Sequence, residues 1–363
     1  MAGPVLHVIS GLGAGGAEAQ LVRVSAALQQ GGIPQHVASL AGPGVHGAAL
    51  AAAGVGATFF DLRTPAGLLG GLAGLVRLAR RLRPRAVQGW MYHGDLAATL
   101  AHRVARLGPR VPLYWGLRCS DMDLTRYSAG LRTVVRACVR LSGLPDLVVA
   151  NARAGLDAHL RLGYRPRAVQ VIPNAIDTGR FAPDPGRRAA MRARLGYSDA
   201  DTVFALVARV DPMKDHAAFL AALRQHPRLR GLLVGAGTEA LVLPANATAL
   251  GRRDDVADIL VAADAIVSCS AFGEGFSNAL AEGMAAGLPP IATDVGDARV
   301  IVGTAGRIVP PRDPAALGAA MDAFAAEPAA ARAAQGAAAR ARIADAFGVG
   351  PCVAAYAKLY GAP

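Results

Sequence analysis

Short apolar runs alternate with amphipathic helical patterns along most of this 363-residue chain. Residues 5–10 (VLHVIS) read as a buried strand, residues 11–16 (GLGAGG) as a tight turn, and residues 17–30 as a helix. A strand over 35–40, a helix over 45–53 and a strand over 57–62 follow. The clearest helical signal spans residues 68–83, where Leu68, Leu72, Leu75, Ala79 and Leu82 recur at three- and four-residue steps and Pro84 follows. Further strands are predicted over 86–90, 113–120, 147–151 and 168–172, with Asn151 a candidate cap for the helix after it. Strands and helices in strict alternation predict an α/β protein with parallel sheets.

The periodicity breaks at residues 173–177 (PNAID) and again at 183–186, which predicts a linker. The expected domains are residues 1–172 and 173–345, with residues 346–363 as a C-terminal helical element. The second part repeats the alternation: a helix over 187–195, a strand over 202–208, a helix from about 215, and a strand over 232–234. A strand over 262–267, a helix over 278–286 and a strand from Ile291 come next. The alanine-rich residues 325–346 predict one or two helices. No internal repeat stands out.

Composition narrows the class. An apolar content of 53% is that of a folded protein, and 363 residues suffice for two cores. No apolar run reaches the ~18–20 residues of a membrane span, and the start of the chain lacks a basic segment with a cleavage site, so a cytosolic location is expected. The four cysteines, Cys119, Cys138, Cys269 and Cys352, form no C-x-x-C pair and read as reduced core thiols.

The net charge of +12 is unevenly placed. Residues 1–172 carry 19 Arg against 7 acidic residues, whereas residues 173–363 carry 19 basic and 19 acidic residues. One reading is solubility or an Arg-rich coding bias. The other is an anionic acceptor, or an anionic membrane face contacted peripherally. No aromatic residues interleave with the Arg residues in the manner of a nucleic-acid surface.

Candidate chemistry concentrates in residues 268–295 (SCSAFGEGFSNALAEGMAAGLPPIATDV). A glycine-containing loop, Gly273 to Gly275, leads into a helix start at Ser277 and Asn278, both good N-cap types. Gly287 suits the C′ position and Pro289–Pro290 stop the helix. Such a helix N-terminus suits a phosphate. Glu274 and Glu282 flank it, and carboxylates there serve neutral hydroxyls better than they serve phosphate. A second cluster, Arg209-Val210-Asp211-Pro212-Met213-Lys214, ends the strand over 202–208. A cation at a helix start is unfavourable unless an anion sits beside it, so Arg209 and Lys214 read as a pair with an anion between them. Taken alone, each feature also has a bland reading as a solvated loop. Gly15 and Gly16 can equally make only a tight strand–helix turn, and His93 after the strand over 86–90 can be a structural histidine. Arg118 and Ser120, at the end of the strand over 113–120, are candidates for an acceptor phosphate or hydroxyl, with a bland reading of equal weight.

Together these motifs resemble glycosyltransferase family 4, whose members are retaining nucleotide-sugar enzymes with the GT-B fold. The resemblance rests on Glu274-Gly275-Phe276 with Glu282 as an E-x7-E signature, on Arg209 and Lys214, on Gly15-Gly16-Ala17-Glu18, on WMYH-x-D around His93, which is similar to the family's acceptor-domain loop, and on VIPN-x-ID around the linker. Ser277 stands where Gly or Pro is more usual. The resemblance implies two Rossmann-like domains facing across a cleft, with the last helix crossing back onto the first. It implies a catalytic group of His93, Arg209, Lys214 and Glu274. The implied donor site takes Gly15, Gly16, Arg209, Lys214, Gly235, Arg252, Gly275, Phe276, Ser277, Asn278 and Glu282, with Glu282 on ribose hydroxyls. Glu18, Arg118 and Ser120 fall on the acceptor side. It also implies a UDP-sugar as substrate, no cofactor and no metal, an anionic or lipid-linked hydroxyl acceptor, and a role in cell-surface polysaccharide or glycolipid synthesis. A nucleotide-sugar epimerase of the same fold would convert donor without acceptor, and a silent subunit would bind donor without turnover.

Overall fold

The computed structural model describes residues 3–62, 65–120, 124–126 and 128–361. They form two compact units, one of Met1–Ala175 with Gly350–Pro363 and one of Ile176–Val349. The division falls within residues 173–177.

In the first unit the order is β1 (Val5–Ile9), α1 (Gly16–Gln30), β2 (Gln35–Ser39), α2 (Gly47–Ala52), β3 (Gly56–Phe59), α3 (Pro65–Leu82), β4 (Ala86–Trp90) and α4 (Met91–Ala105). Then come β5 (Leu113–Leu117), α5 (Ala129–Leu141), β6 (Leu147–Ala150), α6 (Arg153–Leu162) and β7 (Val169–Val171). The seven strands pair in parallel in the order β3-β2-β1-β4-β5-β6-β7.

The second unit runs α7 (Pro185–Leu195), β8 (Thr202–Val207), α8 (His216–Gln225), β9 (Leu229–Val234), β10 (Ala247–Ala249), α9 (Val256–Leu260), β11 (Ala265–Ser268) and α10 (Asn278–Ala285). It continues through β12 (Pro290–Thr293), α11 (Ala298–Val302), β13 (Arg307–Val309), α12 (Pro314–Ala325) and α13 (Ala329–Phe347). Its six strands are parallel in the order β10-β9-β8-β11-β12-β13. The last helix, α14 (Val349–Leu359), belongs to the first unit from Gly350 onward. In both sheets the strand order reverses beside the first strand, at β1/β4 and β8/β11. Loops at the carboxyl ends of those pairs are where such sheets bind ligands. No helix among the described residues is long and apolar enough to cross a membrane.

The central strands β1, β4 and β5 are buried along their whole length because both faces of the sheet are covered there. Phe204, Phe219, Leu233 and Phe324 lie in the core of the second unit, and Leu6, Val8, Leu75, Ala79 and Val87 in one core of the first. A polar chain is threaded through the first unit. Trp90 Nε1 donates to His7 Nδ1 at 3.0 Å, and His7 Nε2 lies 2.7 Å from Gln35 Oε1. Burial pushes the His7 pKa down to about 4, so the ring is neutral and donates from Nε2.

The structure corrects four local expectations. The apolar run over 262–267 is not all strand, since β11 begins only at Ala265. Ala262 is buried in a turn whose carbonyls accept from Arg188 and Arg192, so its burial reflects cation contacts and not sheet pairing. The strand predicted over 113–120 stops at Leu117. Asn151 does not cap α6, whose N-cap is Ala152; the Asn151 amide instead donates to Leu117 O at 3.1 Å. Residues 91–95 are not a loop. Met91, at φ 63°, turns the chain straight from β4 into α4.

Asp95 in α4 is fully buried. Its Oδ1 accepts from Gly116 N at 3.0 Å, and Oδ2 has no partner among the described residues. Burial raises its pKa from 3.8 to about 8, so the carboxyl is mostly neutral at pH 7. With the folded pKa above the unfolded one, its contribution to stability is fully present below about pH 4 and is lost as pH rises toward 8. Asp95→Asn keeps the acceptor and removes the titration. Urea unfolding across this range should therefore show wild type losing stability relative to the variant as pH rises. Parallel curves would show that Asp95 does not titrate there.

Candidate functional site

The second unit brings its candidate residues to the β8/β11 switch. After β8 the chain runs through Arg209 to Asp211, which caps a single 3-10 turn, Pro212–Lys214, by accepting from Met213 N at 2.9 Å. That bond from Met213 holds the Asp211 pKa below its ordinary value, with Arg209 adding to it. Asp215, left-handed at φ 45°, then starts α8. After β11, Ala271 N donates to Met213 O at 2.8 Å, and the Cys269 thiol points at Lys214 O. The two post-strand segments are thus laced together through backbone.

This lacing sets Lys214 against Glu274, sixty residues on. Lys214 Nζ pairs with Glu274 Oε2, and Ser270 Oγ donates to the same oxygen at 2.9 Å. The pair is largely enclosed, with side-chain exposures of 18% and 11%. Lys214, Ser270 and Ser277 line one narrow crevice at the ends of β8 and β11. Arg209 stands apart at 64% exposure, with Nη2 3.1 Å from Asp211 Oδ2. It faces solvent, available to a bound anion at the cost of a weak exposed pair.

Ser277 is the N-cap of α10, but its side chain makes no capping bond. The helix dipole at this end is therefore not capped by the Ser277 hydroxyl, the arrangement that favours a bound anion. Phe276 is buried and meets Phe347 edge-on at 5.4 Å, which anchors the loop from below. The Glu274–Gly275 backbone is held from the other side: Asp297 N donates to Gly275 O at 3.2 Å, and a Cβ on Gly296 would lie 2.1 Å from Glu274 O. Asn278 and Glu282 lie half-buried in the first two turns of α10.

Gly235 sits at φ 152°, and a Cβ there would meet Ala208 O at 2.0 Å. Its amide donates to Gly251 O at 2.8 Å, and Val210 N donates to Ala236 O at 2.8 Å. Arg252 follows Gly251 and is exposed. Three residues that the sequence reading passed over support this frame. Ser270 holds Glu274, and Thr293 Oγ1 donates to Ser270 O at 2.7 Å. Buried Thr238 bridges Gly235 O and Gly251 N. Their only signal in the sequence was a small hydroxyl near the end of a predicted strand.

In the first unit Gly15 is the N-cap of α1, and the Glu18 carboxylate folds over it at the positive end of the helix. His93 lies in the first turn of α4 with an exposed ring, yet the side chains around it desolvate the ring enough to hold its pKa below the ordinary value. Arg118 is engaged in packing. Its guanidinium stacks over Trp90 at 4.4 Å, donates to Asn174 Oδ1 at 3.0 Å and to the Tyr356 hydroxyl of α14, and so clasps the last helix. Ser120 is half-buried beyond it. Among the described residues no three His, Cys, Asp or Glu side chains cluster as a metal site would require.

The paired parallel sheets with ligand loops at their switch points define a GT-B protein. Anabaena Alr3699/HepE, solved in complex with UDP, superposes with a TM-score of 0.85 at 22% identity, over 99% of this chain and 100% of that one. Sucrose-phosphate synthase from Thermosynechococcus elongatus superposes at 0.77 and 19% identity, over 98% of each chain. Residues 14–180 match the model described as Glycosyltransferase Family 4, and residues 201–327 that described as Glycosyl transferases group 1. The chain belongs to these glycosyltransferases. Among curated relatives, the D-inositol 3-phosphate glycosyltransferase of Kineococcus radiotolerans is 33% identical over 265 residues, 64% of this chain and 59% of the relative. That of Segniliparus rotundus is 33% identical over 178 residues, 43% of this chain and 39% of its own length, so the chain spans about two fifths of that relative.

Proposed function

We propose that the protein transfers a sugar from a UDP-sugar to an acceptor hydroxyl, with retention at the anomeric carbon and without a metal ion, in cell-surface polysaccharide or glycolipid synthesis. The observation that carries this reading is the enclosed Lys214–Glu274 pair beside Ser277, whose side chain makes no capping bond to α10. Transfer breaks the bond between the anomeric carbon and a β-phosphate oxygen, which departs with the electron pair. Lys214, Arg209 and the α10 amides are a cation and dipole set suited to that growing charge, the work a metal ion does elsewhere. Glu274 orients the sugar, Glu282 takes ribose hydroxyls, and the acceptor oxygen bonds to the anomeric carbon while its proton passes to the departing phosphate. The naming of the relatives and the UDP in the Anabaena structure support a nucleotide-sugar donor.

The test is a panel of UDP-sugars and lipid-linked or soluble acceptors in excess EDTA, with the product read by NMR. The expected product keeps the donor's anomeric configuration. Inverted product removes retention, and activity lost to EDTA removes metal independence. Donor converted in the absence of acceptor would identify an epimerase instead.

A further inference from the structure

At the amino ends of β5, β6 and β7 the first unit holds a second kind of cavity, of about 340 Å³. Three arginines line it from separate segments. Arg103 lies in the last turn of α4, Arg106 is the C-cap of that helix, and Arg167 stands two residues before β7. None of the three makes a side-chain hydrogen bond or ion pair among the described residues. Asp146 is the one acidic residue in the lining, and its Oδ2 already accepts from Leu113 N at 2.8 Å. Three guanidiniums against one carboxylate leave two positive charges in excess. Pro109, Val111 and Leu144 add an apolar side.

A cation at a helix C-terminus complements the helix dipole, and that accounts for Arg103. It does not account for the other two. Arg167 lies five residues beyond the end of α6. Arg106 takes a left-handed backbone, φ 55° and ψ 48°, where a side chain is strained and glycine is usual. The ends of α6 and α7 place Gly163 and Gly196 in that conformation. At the end of α4 a guanidinium is kept where the backbone favours no side chain at all. The loop that follows is fixed, because His102 Nε2 donates to Val111 O at 2.7 Å. Arg103 and Arg106 therefore project from a settled base. Arg110, Arg161 and Arg165 stand at the same ends of the strands, so the field is positive beyond the lining itself.

We propose that this cavity binds a small soluble phosphomonoester, its phosphate among Arg103, Arg106 and Arg167 and its apolar or ring body against Pro109, Val111 and Leu144. A phosphomonoester carries about −1.5 to −2 charge at pH 7, which matches the excess of the lining. Guanidinium forks suit its oxygens. His93 and Arg118 follow the carboxyl ends of β4 and β5, the other ends of the strands. The site is thus separate from the acceptor side and does not rest on the glycosyl-transfer reading.

Calorimetry on the full chain with phenyl phosphate tests it. Phenyl phosphate should bind about fivefold more tightly than inorganic phosphate, through the apolar side. Arg106→Gly and Arg167→Gln should each weaken it about tenfold. Arg106→Gly should melt no lower than wild type, since glycine relieves the left-handed strain, so its lost binding is not lost folding. Arg77→Gln removes an exposed arginine outside the lining and should leave the affinity within about twofold. UDP affinity should be the same in all four proteins. No binding of phenyl phosphate to wild type would overturn the proposal, as would affinity kept in both cavity variants. Equal weakening by Arg77→Gln would reduce the effect to general charge and overturn it too. Vesicles containing phosphatidic acid separate the two sources of phosphate. Vesicle binding lost in Arg106→Gly, with no phenyl phosphate bound by wild type, would give these arginines to a lipid headgroup and sink the soluble ligand.

Discussion

Lys214→Ala is expected to lower the kcat of sugar transfer about 10²–10³-fold, the usual loss when one preorganised partner of a developing charge is removed. The cation is placed at the end of β8 by a capped turn and held against Glu274 across the switch. Truncation has a second consequence. It leaves the Glu274 carboxylate enclosed, with the Ser270 hydroxyl still donating to it but no cation beside it, and an unpaired enclosed charge destabilises a fold. The two effects separate in the double variant Lys214→Ala with Glu274→Gln, which should regain the melting temperature without regaining turnover. A Lys214→Ala protein that melts normally and keeps more than about a tenth of wild-type kcat would show that this cation does not face the leaving group. Glu282→Ala provides the contrast. Its effect is expected mainly in the donor KM, as for a group that binds ribose equally in ground and transition states.

Gly296→Ala is the second large effect, at a residue that contributes no side chain. Gly296 has φ 62°, and a Cβ there would sit 2.1 Å from Glu274 O. The loop must move to admit a methyl group, and it carries Glu274 and Gly275 with it. Misplacing a reacting group by about 1 Å costs on the order of 10²-fold. Gly287→Ala separates strain from displacement. Its φ is 81°, but its Cβ would meet a proline ring carbon, Pro183 Cγ, at 3.0 Å and no part of the loop. Both variants should lose stability, and Gly296→Ala alone should lose turnover out of proportion. Equal losses of activity in the two would mean that the loop position is not what matters.

Much of the second unit was legible because its signals are local. The strand, glycine loop and helix around Glu274 and Glu282 are adjacent in sequence, and helix starts, stops and strand alternation act over a few residues. Ser277 at the N-cap and Gly287 at φ 81° after α10 stand where residue type placed them. Local rules misled where a long-range partner intervened. Ala262 was read as strand because it is apolar, but arginines from α7 hold it in a turn. Arg118 follows β5, and only the tertiary structure shows that Trp90 and Tyr356 pack against its guanidinium.

The sequence by itself determined the alternation of strands and helices, the two parallel sheets, and the motifs that mark a glycosyltransferase, since each is written in contiguous spacing. Only the tertiary structure decided that Lys214 meets Glu274, that Gly296, past the next strand β12, supports the loop, and that half of the α3 stripe, Leu68 and Leu72, walls a cavity instead of the core. Those contacts depend on which strands lie side by side. Strand order is set by how all the apolar faces pack together, and no local pattern in the chain encodes it.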